Sequence, residues 1–437
     1  MKNNPKKALI ITYGCRQNTS DSEKIKGVLQ SIGYEFCDKQ IDSDLIIFNT
    51  CAVREGAEDR VYGNIGALKA LKLKKPDLVI AICGCMAARS EVADKIKRSF
   101  SHVNLVFGTN AIHKLPQMLA QSESGRVFAK EEDEEIYENL STIHDSKVIA
   151  NVPIMYGCNN FCTYCIVPYV RGRERSRNAE DIINEVRNLA KNGFKEILLL
   201  GQNVNSYSST IDFPELLLAL SEIDGIARIR FLSSHPKDFS PKLITAMSRS
   251  SKICKQLHLP FQSGSDKVLE AMNRKYTRAH YIELINMARQ AMPNIVISTD
   301  TIVGFPSETQ ADFEETLSLV QELRLDMLFT FIYSKRSGTP AADIPQILSN
   351  SQIKENFSRL LKAQEVISIA INKNLISSTQ AVLVEGISKN STSAYTGRTD
   401  GGKIVNFTSD NPVNEGDILP IEIINSTPWA LGGIYHG

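Results

Sequence analysis

Cys158, Cys162 and Cys165 stand in a Cys-x3-Cys-x2-Cys spacing within residues 154–177 of a 437-residue chain. Such a spacing on a tight loop lets several thiolates converge on one metal centre. Iron–sulfur clusters are normally held by four thiolates; here the local sequence supplies three, with no fourth cysteine nearby. A cubane held by three thiolates keeps one iron open for a substrate or cofactor, the logic that separates catalytic zinc sites from closed structural ones. The competing readings are a loop of unrelated cysteines and a partial zinc site. No His lies near enough in sequence to complete a zinc knuckle.

A second set is dispersed. Cys15, Cys51 and Cys85 each follow an apolar, strand-like run by two residues, the runs being 7–13, 44–49 and 77–83. These runs and a fourth at 104–107 alternate with helical patterns at 20–32, 54–72 and 90–97. The alternation predicts an open parallel α/β domain, in which ligands bind outside the carboxyl ends of the strands. Three thiols landing on that one edge fit chance poorly, unrelated loop cysteines being the alternative. Cys37, Cys83 and Cys254 lie in or beside apolar runs and are expected in the core.

The elements that would position the central triad follow. A strand at 152–156 feeds the cysteine loop, and about six β/α units are legible between 152 and 340. Eight units closing a barrel need ~250 residues, so a partial barrel fits. Polar residues gather where its strands end: Gln202 and Asn203, then Ser233, Ser234 and His235, then Gln262 and Ser263, with Asp300 inside the fifth strand. Gln202, Gln262 and Asp300 are candidates for polar contacts to a cofactor or substrate; structural hydrogen bonding is the competing role. Arg171, Arg173, Arg175 and Arg177 alternate beyond the cysteine loop and suit phosphate recognition, a solvated basic loop being the alternative. A helix at 351–373, with Asn350 as its cap, leaves the barrel. Four short strands then predict a small antiparallel barrel. That last stretch carries four Lys/Arg against six Asp/Glu from residue 373 onward, an unfavourable balance for holding RNA by charge alone. Trp429 and Tyr435 could stack on bases or fill its core. Residues 121–150 lack periodicity and include five consecutive acids, the pattern of a solvated connector.

Hydrophobic residues make up 42% and charged residues 23% of the chain, as in ordinary globular proteins. No apolar run approaches the ~20 residues of a membrane span, and no signal peptide is recognisable. The cytoplasm is the expected location, and nine cysteines in a reducing compartment read as ligands, catalysts or core residues rather than disulfides. A net charge of +1 excludes a polycation, so any nucleic-acid surface must be local. A two-cluster electron-transfer protein predicts closed sites of four cysteines, and a pure RNA-binding module needs neither triad.

The wording around these residues is more specific. Gly157-Cys158-Asn-Asn-Phe-Cys162-Thr-Tyr-Cys165-Ile-Val-Pro-Tyr, with Arg171-Gly172 after it, resembles the methylthiotransferase family of radical S-adenosylmethionine (SAM) enzymes. So do Gly14-Cys15-x-x-Asn18, Asn49-Thr-Cys51-Ala-Val-Arg54 and Gly84-Cys85-Met-Ala, with Arg16-Gln17 standing where the common pattern reads Gln-Met. Residues 201–207, 258–265 and 298–306 resemble the family's core as well. The resemblance implies an N-terminal α/β domain over 1–120, an acidic linker over 121–150, a partial (β/α)6 radical SAM barrel over 151–372 and an RNA-binding TRAM-like β domain over 373–437. It implies two 4Fe–4S clusters, one on Cys158, Cys162 and Cys165 and one on Cys15, Cys51 and Cys85, with SAM on the open iron of the first. SAM contacts would come from Tyr164, Gln202, Asn203, Ser233, His235, Gln262 and Asp300, and tRNA contacts from the four arginines. The implied activity is insertion of sulfur and a methyl group at C2 of N6-isopentenyladenosine at tRNA position 37. Threonylcarbamoyladenosine in tRNA and a ribosomal-protein aspartate are the alternative substrates; the wording of residues 201–207 favours the isopentenyl one. An electron donor such as flavodoxin or ferredoxin and a monomeric state complete the expectation.

Overall fold

The computed structural model describes residues 5–52, 57–129, 135–138, 140–389, 391 and 393–437. Arg54 and four of the five consecutive acids lie outside the described residues. The chain groups into two compact units, residues 1–145, 155–159 and 165–177 in one and 146–154, 160–164 and 178–437 in the other.

The first unit is built on an all-parallel sheet in the order Glu35–Phe36, Lys7–Tyr13, Leu45–Thr50, Val79–Gly84, Leu105–Phe107, Val127–Phe128. A parallel sheet must be covered on both faces, so its central strands are near-continuously apolar. Leu45–Thr50 is buried at every residue. One face packs Ile25, Leu29 and Leu115 against Leu45, Ile47 and Ala81; the other packs Val61, Ile65, Val92 and Ile96 against Ile46, Phe48, Ile80 and Ile82. Helix Arg16–Ser31 begins earlier than the expected residue 20 and buries Gln17, Asn18, Ser20, Asp21, Ser22 and Glu23. The stretch expected to be a connector is instead packed where it is described. Val127–Phe128 is an edge strand, Ile143 N donates to Glu23 O at 3.0 Å, and Asp145 N donates to Glu23 Oε1 at 3.1 Å. Cys37 is half-exposed with its sulfur 3.3 Å from Ser43 Oγ, so it is not a core residue, whereas Cys83 and Cys254 are buried.

In the second unit Ile149–Pro153, Glu196–Leu200 and Arg228–Phe231 form one parallel sheet, and Gln256–His258, Val296–Val303 and Met327–Ile332 another. A parallel bridge from Ile229 to Ile253 joins them. The result is the expected six-stranded open barrel, with strands in sequence order. Its helices start on side-chain caps that accept backbone N–H groups: Asn178, Asp212, Ser240, Thr277 and Thr309. Ser349, not Asn350, caps helix Asn350–Lys373. A short helix, Asp266–Ala271, was not legible in the sequence.

Five strands then close a small barrel: Thr379–Ile387, Tyr395–Thr399, Ile404–Ser409, Ala430–Tyr435, Ile418–Ser426. Four of its strand pairs are antiparallel; the pair Ile404–Ser409 with Ala430–Tyr435 is parallel. That last strand carries Gly432 and Gly433, where a Cβ would stand 2.2 Å from Asn425 Oδ1 and 2.4 Å from the Ile421 side chain. This barrel is held to the N-terminal end of the half-barrel's strands. Arg228 donates to Arg398 O at 2.7 Å and Ala381 O at 2.8 Å, and Arg230 to Asp400 O at 3.0 Å. Lys403 pairs with Asp326 at 2.8 Å. Tyr435 packs against the small barrel's core and Trp429 is exposed.

Candidate functional site

In the first unit, Cys15, Cys51 and Cys85 all lie just beyond the carboxyl ends of neighbouring parallel strands. Cys15 trails its strand by two residues and caps helix Arg16–Ser31; Cys51 and Cys85 trail by one, because their strands run a residue longer than expected. A polar floor supports them. Asn18 Nδ2 donates to Asn49 Oδ1 at 3.1 Å and Asn49 Nδ2 to Asn18 O at 2.8 Å, while Cys15 Sγ is 3.3 Å from Asn18 Oδ1. Gly84 has φ +93°, and a Cβ there would stand 2.4 Å from Thr50 O, so the chain can turn toward Cys85 only with glycine. Burial pushes the Cys85 thiol up to about 12, against the pull of Arg171. As a free thiol it is unreactive at neutral pH, and thiolate character would come with metal binding.

The central cysteine loop is anchored residue by residue. In the first unit, Cys158 N donates to Gly172 O at 3.3 Å and Gly157 adopts φ +74°. In the second, Thr163 N donates to Met272 O at 3.1 Å, Asn273 Nδ2 to Phe161 O at 3.0 Å, and Arg274 Nη1 to Cys162 Sγ at 3.4 Å. Cys158 and Cys162 are buried and Cys165 half-buried. Tyr164 packs beside Val268, Met272, Phe305 and Ala341.

The carboxyl ends of the half-barrel strands hold the predicted polar residues. Buried Gln202 Oε1, Asn203 Oδ1, Ser234 Oγ and His235 Nε2 have no hydrogen-bond partner among the described residues. Ser233 (φ +69°) and Gln262 (φ +67°) occupy the left-handed region, a strain that persists in side-chain-bearing residues where the surroundings impose it. Burial, with Arg274 and Lys237 close by, lowers His235 to about 2, so its ring is neutral. Asp300 is not free: its Oδ1 lies 3.5 Å from His258 Nε2, and His258 Nδ1 is 3.0 Å from Ser298 Oγ.

Family models match three stretches: the Radical SAM superfamily at 152–320, the uncharacterized protein family UPF0004 at 7–108 and the TRAM domain at 373–434. The chain is 50% identical over 435 residues to the tRNA-2-methylthio-N(6)-dimethylallyladenosine synthase of Alkaliphilus oremlandii, covering 98% of this chain and 92% of that one. It is 49% identical over 429 residues to the synthase of the same name from Acetivibrio thermocellus, covering 97% and 89%. The chain belongs to the tRNA-2-methylthio-N(6)-dimethylallyladenosine synthase family. Among solved structures, a radical SAM methyltransferase, TsrM, from Kitasatospora setae shares the fold at a TM-score of 0.56 and 12% identity, covering 78% of this chain and 77% of that one.

A member of this synthase family is a radical SAM enzyme, which implies a 4Fe–4S cluster and SAM. The residues fit both. A buried arginine aims an N–H at one sulfur of the central loop, and the buried polar atoms without partners among the described residues at the strand ends are groups a bound ligand would satisfy. Among the described residues no three His, Cys, Asp or Glu side chains surround a point suited to one metal ion. A cluster takes each thiolate on a different iron and so does not require that geometry. Among the described residues no helix is long and apolar enough to cross a membrane.

The four arginines beyond the cysteine loop differ in burial and pairing. Arg171 is 4% exposed, donating to Asp21 Oδ2 at 2.7 Å and to Cys85 Sγ at 3.2 Å. Arg177 is 6% exposed and forks onto Glu138, with Nε 2.9 Å from both carboxylate oxygens. Both charges are paired with buried or half-buried carboxylates. Arg175 donates to Arg171 O at 3.0 Å and lines a small cavity with Lys24 and Tyr156; Arg173 is exposed. Sequence reasoning missed Arg274, which follows an unforeseen helix, and Asn205, whose side-chain amide is buried with no partner among the described residues.

Proposed function

We propose that this chain methylthiolates tRNA, adding sulfur and a methyl group at C2 of N6-isopentenyladenosine at position 37. The near-full-length kinship to synthases of that name carries this reading. Cys158, Cys162 and Cys165 hold one 4Fe–4S cluster, and Cys15, Cys51 and Cys85 hold a second. When bound, the central cluster and SAM supply the one-electron chemistry that opens a C–H bond, and the second cluster supplies the sulfur to be methylated and transferred. The protein's share is placement. Gln202, Asn203, Ser233, His235 and Gln262 line the strand ends and hold SAM beside the Cys158–Cys165 loop. Neutral His235 can donate or accept there without adding a second positive charge to a sulfonium ligand. Tyr164 forms the apolar wall, and Asp300, through His258, sets the polar floor of the lumen. Arg173 and Arg175 contact the tRNA backbone, with the C-terminal barrel as a further RNA surface. A low-potential donor such as flavodoxin or ferredoxin supplies the electron, and the protein acts as a cytoplasmic monomer divided at about residues 120, 150 and 372.

Nucleoside mass spectrometry of tRNA from a strain lacking this gene tests the reading. The 2-methylthio nucleoside should vanish, N6-isopentenyladenosine should accumulate, and a plasmid copy should reverse both changes. Loss of a threonylcarbamoyl derivative instead, or an unchanged nucleoside profile, would reject the isopentenyl substrate.

A further inference from the structure

Arg171, Arg177 and Arg230 are buried, and each pairs with a carboxylate, Asp21, Glu138 and Glu196 in turn. Arg274 is as deeply placed, at 8% exposure, but among the described residues no carboxylate pairs with it. Its Nε donates to Tyr276 Oη at 3.0 Å, its Nη2 to Pro260 O at 2.9 Å and its Nη1 to Cys162 Sγ at 3.4 Å. The titratable groups facing it are Tyr276, Tyr164 and Cys162, and neutral His235 stands nearby. A buried cation with no anion is strongly unfavourable. Among these partners, the Cys162 sulfur becomes anionic when it ligates metal. The same turn also clamps the loop mechanically: Met272 O accepts from Thr163 N, Ala271 O from Thr163 Oγ1 at 2.9 Å, and the Asn273 side chain donates to Asn160 O and Phe161 O.

We propose that Arg274 is a positioning residue that stabilises the reduced state of the central cluster through its N–H bond to the Cys162 ligand. This rests on the reading that Cys158, Cys162 and Cys165 hold that cluster. On reduction one electron passes from a low-potential one-electron donor to the cluster, whose charge falls by one, and no bond is made or broken. A fixed guanidinium on a ligand sulfur favours the more negative state, since hydrogen bonds to sulfur and local charge set cluster potentials.

The test is a redox titration of the full-length protein followed by electron paramagnetic resonance, with and without SAM. The central cluster is identified by the change SAM makes in its signal. Arg274→Gln should keep the iron content, yet its ratio of reduced to oxidised central cluster at fixed poise should fall about tenfold, ~59 mV for a one-electron couple. Arg274→Lys, which keeps the charge and loses the fork, should shift less in the same direction. Wild-type potentials in both variants would overturn the role. Where the Gln protein fails to retain iron, the Lys protein decides: a lowered potential supports the role and an unchanged one overturns it. Absence of any SAM-sensitive signal in the wild-type protein would remove the cluster reading, and the inference with it.

Discussion

At the N-terminal end of the half-barrel's strands the charged groups have partners. Arg230 donates to Glu196 Oε1 at 2.9 Å, to Gln256 and to Thr399 O at 3.3 Å, Arg228 holds two backbone carbonyls of the small barrel, and Lys403 pairs with Asp326. At the C-terminal end buried polar side-chain atoms of Gln202, Asn203, Asn205, Ser234 and His235 lack partners among the described residues, and Ser233 and Gln262 sit at positive φ. Both ends are rich in polar residues, so composition does not tell them apart. Satisfaction does: a buried polar network that closes on itself holds structure, and one left open awaits a ligand.

The largest effect should come from the open end. Cys162→Ala should abolish 5′-deoxyadenosine formation from SAM under dithionite, measured by chromatography. Persistent cleavage would mean that the loop is not the SAM-cleaving site. Next comes the closed end. Arg230→Ala leaves Glu196 buried without its partner and should destabilise by roughly 3–5 kcal/mol, seen as a lower urea midpoint. SAM cleavage per folded, cluster-loaded molecule should be unchanged. A wild-type midpoint would show that the network is slack.

Glu308, at the turn after strand Val296–Val303, sharpens the contrast. Burial pushes its carboxyl from the ordinary value up to about 7, although Gly304 N donates to it at 2.6 Å. The folded state therefore holds this proton more tightly than the unfolded chain does. Its contribution is intact below pH ~4.5 and declines as pH rises toward 7, by up to roughly 3 kcal/mol. Glu308→Gln should flatten that part of the stability–pH curve, read as urea midpoints at pH 5 and pH 8. Smallest is Gln202→Ala, which removes one neutral hydrogen-bonding group from the open end. It should weaken SAM binding by about 0.5–1.5 kcal/mol, or roughly two- to thirteenfold, with little change in melting temperature. A marked loss of stability instead would place Gln202 among the structural residues.

The sequence made some of this legible because short-range chemistry is written locally. The cysteine spacings and the strand–helix alternation were readable, and the structure has them, while the cap expected at Asn350 falls one residue earlier, on Ser349. Elements of few residues were not readable. Helix Asp266–Ala271 has six residues, and the edge strands Glu35–Phe36 and Val127–Phe128 have two each, too short for a period to register. Strand Ala430–Tyr435 was hidden by its two glycines, which close packing requires. Long-range satisfaction was the deepest gap. The alternating arginines looked like a phosphate-binding edge, yet Asp21 and Glu138 claim two of them. The C-terminal module reads in the sequence as a small barrel with no sign of what it packs on, and its carbonyls hold Arg228 and Arg230. Nothing near Arg274 in sequence points to Cys162, because their contact spans 112 positions.

The claim of two cysteine sites with divided roles is tested most directly with purified, iron-reconstituted protein, tRNA bearing N6-isopentenyladenosine, SAM and dithionite. Wild type should yield both 5′-deoxyadenosine and the 2-methylthio nucleoside. The Cys15→Ala/Cys51→Ala/Cys85→Ala protein should bind about half the iron, as expected for one cluster per triad, still release 5′-deoxyadenosine and form no methylthio product. Full iron loading in that triple variant, or continued methylthiolation by it, would contradict sulfur delivery from the Cys15, Cys51 and Cys85 edge.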